Sequence, residues 1–248
     1  MQSSAVITAD NVDCRLGGFL AVQSLSFSVR EGEVVALVGK TGAGKSTVLN
    51  LVMGSIQPTV GTVRVAGHDP FSDSAALRGK IGVSFQTDRL LPWRTAIENV
   101  ELGLQILRVP REELAKRAAH WLERVKMTEA KDKYPHELSG GMRQRVSLAR
   151  ALAVDPAILL LDESFSQLDS VTSITLRRDV AELVRSLKKT CLFITHRIED
   201  AIEMADRIIV LTPPARVILE IELSDAVRSS RRAEIQAKIE AAIGHNVE

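Results

Sequence analysis

The sequence has few aromatic residues and no excess of charge of either sign. Aromatic side chains make up 4% of the 248 residues, which disfavours the stacking surfaces that bind single-stranded nucleic acid. The 32 lysines and arginines are balanced by 31 aspartates and glutamates, giving a net charge of +1. Because a nucleic-acid interface needs a basic surface, the composition gives no support for nucleic acid as a partner.

Cysteines and long apolar runs are also scarce. The two cysteines, Cys14 and Cys191, lie far apart and without the spacing of a metal site, so we expect reduced thiols, as in a cytosolic protein. No apolar run approaches the ~18 residues that a membrane-spanning helix needs, and the longest are Val34–Val38 and Ala157–Leu161. If the protein works at a membrane, another chain must supply the spanning part.

Short apolar runs alternate with helical patterns along the chain. Val34–Val38 and Ala157–Leu161 are apolar throughout, which is typical of strands covered on both faces. Helical periodicity marks Glu112–Val125 and Gly141–Ala153, and Ser139 is placed to cap the second of these helices. Strands separated by helices predict an α/β fold with a parallel sheet, and the helical middle of the chain predicts an inserted subdomain.

A glycine-rich segment follows the Val34–Val38 run and matches the pattern G-x-x-x-x-G-K-[ST]. It consists of Gly39, Lys40, Thr41, Gly42, Ala43, Gly44, Lys45, Ser46 and Thr47. Glycines let successive backbone N–H groups point at phosphate oxygens, and the following helix adds the positive end of its dipole. We expect Lys45 to reach the β- and γ-phosphates of ATP, Ser46 to bind Mg²⁺ and Thr47 to bond the α-phosphate. The alternative is a glycine-rich turn with a chance lysine.

Two carboxylates, Asp162 and Glu163, follow the apolar run Ile158–Leu161. Ligands of open α/β sheets lie at the carboxyl ends of the strands. Asp162 is therefore placed to hold Mg²⁺, directly or through water, and Glu163 to orient or deprotonate an attacking water. A solvated acidic pair that caps a strand is the alternative.

Further motifs resemble those of one family. The segment Leu138–Arg145, LSGGMRQR, resembles the signature motif of ATP-binding cassette (ABC) proteins. Gln86 is similar to the family's Q-loop glutamine, Leu168-Asp169 to its D-loop and His196 to its switch histidine. Over about residues 5–211 the resemblance implies a P-loop fold with a mainly parallel core sheet, an N-terminal antiparallel β subdomain and an inserted helical subdomain.

The same resemblance implies roles for these residues. His196 would bond the γ-phosphate, Gln86 would contact Mg²⁺ or the attacking water, and Asp169 would order the opposite active site. We expect the ABC ATPase domain to span residues 1–211, with the helical subdomain over about residues 87–153. A C-terminal strand and helix over residues 212–248 are expected to pack on the same domain.

Ser139, Gly140 and Gly141 would form a second anion site, because they stand at the start of a predicted helix. One triphosphate does not need two phosphate cradles in one chain, so two chains packed head to tail would each lend this site to the other. The resemblance implies this arrangement: ATP lies between Lys45 of one subunit and Ser139 and Gly141 of a second copy or a homologous ATPase. Without the other motifs, a simple helix cap would be the favoured explanation of Ser139.

Leu16 stands where ABC proteins usually stack adenine on an aromatic residue. It can still cover the ring by apolar contact, and Phe19 lies nearby and is a possible substitute. Since stacking of a base is worth ~1–3 kcal/mol, we expect modest nucleotide affinity. Ser164, Gln167 and Arg197 also depart from the residues common in the family, but none of them removes a catalytic group.

The segment Asp88–Arg94, DRLLPWR, favours a transporter subunit over a soluble ABC-type ATPase. It follows Gln86 in an expected surface loop, where Leu90, Leu91 and Trp93 would expose apolar side chains, and such a patch marks a partner site. In ABC transporters a cytoplasmic helix of the membrane subunit docks here. The alternative is that these side chains pack into the helical subdomain.

Residues 86–94 and the tail from Thr212 resemble ATPases of the nitrate/sulfonate/taurine importer group. That resemblance implies a separate transmembrane permease, an indirect partnership with a substrate-binding protein and a peripheral position at the cytoplasmic face of the membrane. The solute would be chosen by those other proteins. The predicted terminal helix, about Arg231–Ile243, places Ile235, Ile239 and Ile243 on one stripe, which we expect to pack on its own domain.

Overall fold

The computed structural model describes residues 4–162 and 182–244, which fall into two compact units. The first unit holds the described residues up to 77 and from 188 onward, and the second holds those between 78 and 187. Glu163, Ser164, Gln167, Leu168 and Asp169 lie outside the described residues.

The elements in chain order are β1 (Ala5–Leu16), β2 (Phe19–Arg30), β3 (Val34–Val38), α1 (Lys45–Val52), β4 (Val60–Val65), β5 (Ile81–Ser84), α2 (Ala96–Ile106), α3 (Arg111–Arg124), α4 (Gly140–Ala153), β6 (Ile158–Asp162), β7 (Thr190–Thr195), α5 (Ile198–Met204), β8 (Arg207–Thr212), β9 (Arg216–Glu222), α6 (Asp225–Ser230) and α7 (Arg232–Gly244). Residues 182–187 are also helical. Within the described ranges, no helix combines the length and the apolar character that crossing a membrane requires.

An antiparallel sheet in the first unit has the strand order β2-β1-β4. In β2, Leu25, Phe27 and Val29 are buried while Ser24 and Ser26 are exposed. A strand with this pattern has one face on the core and one in water. The sheet is the N-terminal antiparallel β subdomain that the resemblance to ABC proteins implies.

The parallel part of the first unit is built around β3. β3 lies between β7 and β8 and is parallel to both, while β9 pairs with β8 in the antiparallel direction. Val34–Val38 and Thr190–Thr195 are buried along their whole lengths, as expected of strands covered on both faces. Because the carboxyl ends of parallel strands lie at one edge, the segments that follow β3 and β7 emerge next to each other.

The predicted terminal helix is present as α7 and packs within the first unit. It contacts α5 and β8. Ile235 and Ile239 are buried and Ile243 is half-buried, so the apolar stripe faces the unit's own interior.

The second unit combines a strand pair with a group of helices. β5 and β6 are parallel neighbours, and α2, α3 and α4 pack on one another around buried side chains that include Leu104 and Leu122. With the parallel strands of the first unit, this confirms the predicted α/β class and the mainly parallel core.

A charged network centred on the buried Arg207 joins three strands of the first unit. Arg207, at the start of β8, donates from Nε to Glu33 Oε1 at 2.8 Å and from Nη1 to Glu220 Oε2 at 3.0 Å. Its Nη2 donates to the carbonyl of Ser28 in β2. Burial acts to lower the pKa of Arg207, but the hydrogen bonds and charges of the two glutamates outweigh it, and the pKa is raised.

We expect Arg207→Ala to lower the free energy of unfolding by about 3–5 kcal/mol, because it leaves the Glu33 carboxylate, whose side chain is only 10% exposed, without its cation. The control is Arg30→Ala, which breaks the exposed 3.0 Å pair with Glu222 and should change stability by less than about 1 kcal/mol. Urea unfolding followed by circular dichroism measures both variants. Equal losses of stability would contradict the structural importance of the Arg207 network.

Candidate functional site

The glycine-rich segment, residues 39–47, forms a tight loop between β3 and α1 and is called the phosphate loop below. Gly42 and Gly44 have φ angles of 84° and 79°, which residues with a side chain rarely adopt. α1 begins at Lys45 with Gly44 as its N-cap, so the loop leads directly into a helix N-terminus. The first N–H groups of a helix lack partners within it and carry the positive end of its dipole, which suits an anion.

The phosphate loop lies very close to the backbone beneath it. A Cβ atom on Gly39 would stand 2.5 Å from the carbonyl oxygen of Leu211 in β8. A Cβ atom on Gly44 would stand 2.6 Å from the carbonyl oxygen of Ala21 and 2.7 Å from the Cβ of Ala215. Both glycines are therefore required by the space available, and Gly44 by its left-handed φ as well.

Lys45 provides a positive charge inside the phosphate loop. The residue is 5% exposed, and its Nζ donates to the carbonyl oxygens of Gly39 at 2.7 Å and Lys40 at 2.9 Å. These bonds hold the ammonium group within the curl of the loop. Ser46 is exposed and Thr47 is half-buried at the start of α1, where hydroxyl groups can meet phosphate or a metal.

His196 and the phosphate loop line one cavity of about 430 Å³. The structure thus brings together two predicted features that are about 150 residues apart, because β3 and β7 are neighbouring parallel strands. Part of the lining comes from the C-terminal helix α7, which no motif had marked as part of the site. The lining residues are Gly39, Lys40, Thr41, His196, Ile198, Glu240, Ile243 and Gly244.

Leu16 and Phe19 pair across the end of the β1–β2 hairpin. They are 43% and 68% exposed. Both side chains therefore present apolar surface on which an adenine ring could lie.

Gln86 and Asp162 follow or end adjacent strands of the second unit. Gln86 is exposed just beyond β5, and Asp162 is the half-buried last residue of β6. Since β5 and β6 run parallel, the two residues lie toward the same edge of the pair. Their amide and carboxylate oxygens, like the hydroxyl of Ser46, are the hard donors that Mg²⁺ prefers, so the donor types fit this metal.

Ser139 caps α4, which begins at Gly140. Its Oγ accepts a hydrogen bond from the Met142 N–H at 3.3 Å, so the helix-cap interpretation of this serine is confirmed. A hydroxyl that accepts one bond can still donate its own hydrogen. Ser139 and Gly140 are exposed while Gly141 is buried, which leaves the serine accessible to an anion.

The segment Asp88–Arg94 lies between β5 and α2 and is less exposed than predicted. Leu90 is 8% exposed, so the prediction that it projects into solvent is wrong; Leu91 is half-buried and Trp93 is 70% exposed. Asn99 provides the reason. Its Oδ1 accepts from the Leu91 N–H at 2.7 Å, and its Nδ2 donates to three backbone carbonyls of residues 91–95 at 3.0–3.2 Å, which folds the segment back onto α2.

Comparison with known proteins relates the chain to one family. The family model described as ABC transporter matches residues 22–166. The chain is 42% identical over 205 residues to the sulfate/thiosulfate import ATP-binding protein CysA of Thermosynechococcus vestitus, a match that covers 83% of this chain and 61% of that protein. It is also 42% identical over 214 residues to the nitrate transport protein NasD of Klebsiella oxytoca, covering 83% and 78% of the two chains.

A solved structure is also similar. It is the dimeric post-hydrolysis state of the ATP-binding cassette MJ0796 bound to ADP and Pi. The TM-score is 0.77 and the sequence identity 34%, over 88% of this chain and 99% of that one.

We expect Gly44→Ala to weaken ATP binding at least about tenfold, since strain of about 1.4 kcal/mol in the bound loop corresponds to that factor. The added methyl group would push the loop away from Ala21 and Ala215. The control is Gly67→Ala, which has a similar φ of 81° and nothing within 4 Å, and lies outside the phosphate loop. Calorimetric titration with ATP checks both variants. Wild-type affinity in Gly44→Ala would show that the close packing of this glycine is unimportant.

Proposed function

Because the chain belongs to the ABC transporter family, we propose that it drives the import of a small inorganic oxyanion through a separate membrane permease. As an ABC ATPase it binds and hydrolyses ATP. The observation that supports a role in transport, beyond ATP hydrolysis, is the exposure of Trp93. Its side chain is 70% exposed, at the end of a segment that is otherwise folded back onto α2. A large aromatic side chain held in solvent by an ordered segment is typical of a protein interface.

The class of solute is inferred from the relatives. The CysA relative is named for the import of sulfate and thiosulfate, and the NasD relative for the transport of nitrate. These solutes are small inorganic oxyanions, and we extend that class to the transporter that this chain serves. A binding protein and the permease would select the anion, while this chain supplies the energy from a peripheral position at the cytoplasmic face of the membrane.

We propose that the phosphate loop holds the triphosphate of ATP through its N–H groups, with Lys45 at the β- and γ-phosphates. The hydroxyl of Ser46, the amide of Gln86 and the carboxylate of Asp162 are the proposed Mg²⁺ ligands, directly or through water. When bound, this ion neutralises charge that develops on the phosphate oxygens. Leu16, with Phe19 as the alternative, is proposed to cover the adenine.

Three further residues are assigned to hydrolysis. Glu163, the residue after Asp162, is proposed to orient the attacking water and accept its proton. His196 is proposed to bond the γ-phosphate, a role supported by its place in the cavity that the phosphate loop also lines. Asp169 is proposed to order the opposite active site.

The ATPase acts as a dimer in which each subunit completes the other's site. We propose that Ser139, Gly140 and Gly141 of one subunit close over the nucleotide held by Lys45 of the other. The exposed Ser139 hydroxyl and the N-terminus of α4 offer donors to a γ-phosphate. The similar MJ0796 cassette is itself dimeric, which supports this arrangement for two copies of the present chain.

Glu163→Gln should lower the ATP hydrolysis rate by about 100-fold or more, because the amide cannot accept the proton of the attacking water. ATP binding should persist, so the variant should dimerise with ATP, which light scattering after size-exclusion chromatography measures. In proteoliposomes containing the permease and its binding protein, uptake of radiolabelled sulfate or nitrate should stop.

Glu112→Gln, on the exposed surface of α3, is the matched control and should hydrolyse ATP and support uptake normally. Full hydrolysis in Glu163→Gln would exclude its role as base. A wild-type transporter that takes up none of sulfate, thiosulfate and nitrate would contradict the proposed class of solute.

Trp93→Ala should weaken co-purification with the permease at least about tenfold, within the range for aromatic residues that anchor an interface. ATP affinity of the isolated subunit should not change. Ile106→Ala is the control, since it removes another apolar side chain of the second unit, 63% exposed, outside the segment Asp88–Arg94. Undiminished co-purification of Trp93→Ala would contradict docking at this segment and favour a soluble ABC-type ATPase.

A further inference from the structure

Two side chains of α4 hold the backbone that leads from β5 into the segment Asp88–Arg94, which we call the docking segment. Gln144 Nε2 donates to the carbonyl oxygen of Phe85 at 3.0 Å. Arg150 donates from Nη2 to the carbonyl oxygen of Asp88 and from Nη1 to that of residue 89, both at 2.7 Å. The helix that begins at the signature motif is thus attached to the docking segment over nearly two turns.

The side chain of Asp88 makes a second attachment that reaches the signature motif itself. Its Oδ1 accepts from the Leu90 N–H at 3.1 Å, and its Oδ2 accepts from Arg143 Nε at 2.9 Å. Arg143 Nη1 also donates to the carbonyl oxygen of Leu138 at 2.8 Å. Leu138 directly precedes Ser139, so a single guanidinium joins the docking segment to the residue next to the signature serine.

Partial burial strengthens the ion pair between Arg143 and Asp88. The side chains of Arg143 and Asp88 are 37% and 27% exposed, and their bond is of the charge-assisted kind that exceeds a neutral hydrogen bond in strength. Burial lowers the pKa of the Arg150 guanidinium, and the carboxylate of Asp88 acts in the opposite direction; an arginine stays charged in either case. Asn99 bonds the backbone of Leu91 and Arg94 toward the other end of the docking segment, so the segment is attached at both ends.

We propose that Asp88 and Arg143 are positioning residues that couple docking of the permease to the position of Ser139. Ser139 in turn closes over the nucleotide of the partner subunit. The inference rests on the proposed function, because the signal starts at the docking segment and ends at a phosphate held between two subunits. When Asp88 moves, Arg143 moves the Leu138 carbonyl, and with it the start of α4. Hydrogen bonds weaken steeply when their geometry is lost, so a displacement of about 1 Å at Asp88 is enough to make or break this link.

The link needs an arginine rather than any cation. A planar guanidinium presents several N–H groups in a fixed fork, so it can hold the Asp88 carboxylate and the Leu138 carbonyl in one relative arrangement. A lysine ammonium is a point charge on a flexible stem and would satisfy the carboxylate without fixing the carbonyl. Arg143→Lys should therefore keep the ion pair but lose the coupling.

The test compares Asp88→Asn, Arg143→Gln and the double variant in the complete transporter. The measured quantity is the stimulation ratio, the ATPase rate with the sulfate- or nitrate-loaded binding protein divided by the rate without it. Each single variant should lower this ratio about tenfold, within the range of couplings between sites. The double variant should be no worse than the more severe single variant, because both act through one link. A purely structural role would lower both rates alike and leave the ratio unchanged, which would overturn the proposal.

Amide hydrogen exchange on the isolated subunit tests the link without a permease. The N–H of Met142 bonds Ser139 Oγ at 3.3 Å and that of residue 143 bonds the Ser139 carbonyl at 2.9 Å. Asp88→Asn should speed exchange at these two amides about tenfold, because the first turn of α4 opens locally more often. Unchanged exchange would overturn the link.

The control is Arg117→Ala, which breaks a 3.0 Å ion pair between Glu113 and Arg117 that lies within α3. It should alter neither the stimulation ratio nor the exchange of the α4 amides, and an equal effect of this variant would overturn the proposal. If the wild-type chain does not assemble with a permease, the proposed function fails. The exchange of the α4 amides then decides the Asp88–Arg143 link by itself.

Discussion

A polyphosphate can be held by backbone only where several N–H groups converge, and convergence requires conformations that side chains oppose. Here that requirement falls on Gly42 and Gly44, with φ angles of 84° and 79°, and on Gly39, whose missing side chain leaves room for the Leu211 carbonyl. The phosphate loop therefore depends on β2 and β8, which are distant in sequence, for its shape. The roles assigned to Lys45 and to the metal ligands depend on this loop, because a displaced loop would not present its charge to the same oxygens.

Local signals in the sequence were sufficient for the elements that carry the chemistry. The continuous apolar runs Val34–Val38 and Ile158–Leu161 predicted buried strands, and the structure has β3 and β6 there. Local signals also predicted the phosphate loop, the cap at Ser139 and the place of His196 beyond β7. Each is set by residues within a few positions of one another, or by the rule that neighbouring parallel strands end at one edge.

Contacts between elements that are far apart in the sequence could not be predicted from local signals. Leu90 was predicted to be exposed because it stands in a loop, but the bonds of the buried Asn99 turn that loop back onto α2. The ion pair between Asp88 and Arg143 joins residues 55 positions apart and has no sequence pattern. Glu240 lines the cavity of the phosphate loop only because α7 returns to pack near the ends of the parallel strands.

The two proposed anion sites, the phosphate loop and the turn at Ser139, differ in rigidity, and this difference suits their proposed roles. The phosphate loop is fixed by buried strands and by glycines in contact with backbone, which cannot yield without disturbing the sheet. The turn at Ser139 is exposed and is held to the docking segment by side-chain bonds, each worth only about 1–3 kcal/mol. A protein partner that binds with micromolar affinity releases about 8 kcal/mol, which exceeds the strength of any one of these bonds. Docking can therefore shift the closing site while the site that grips the phosphates keeps its shape.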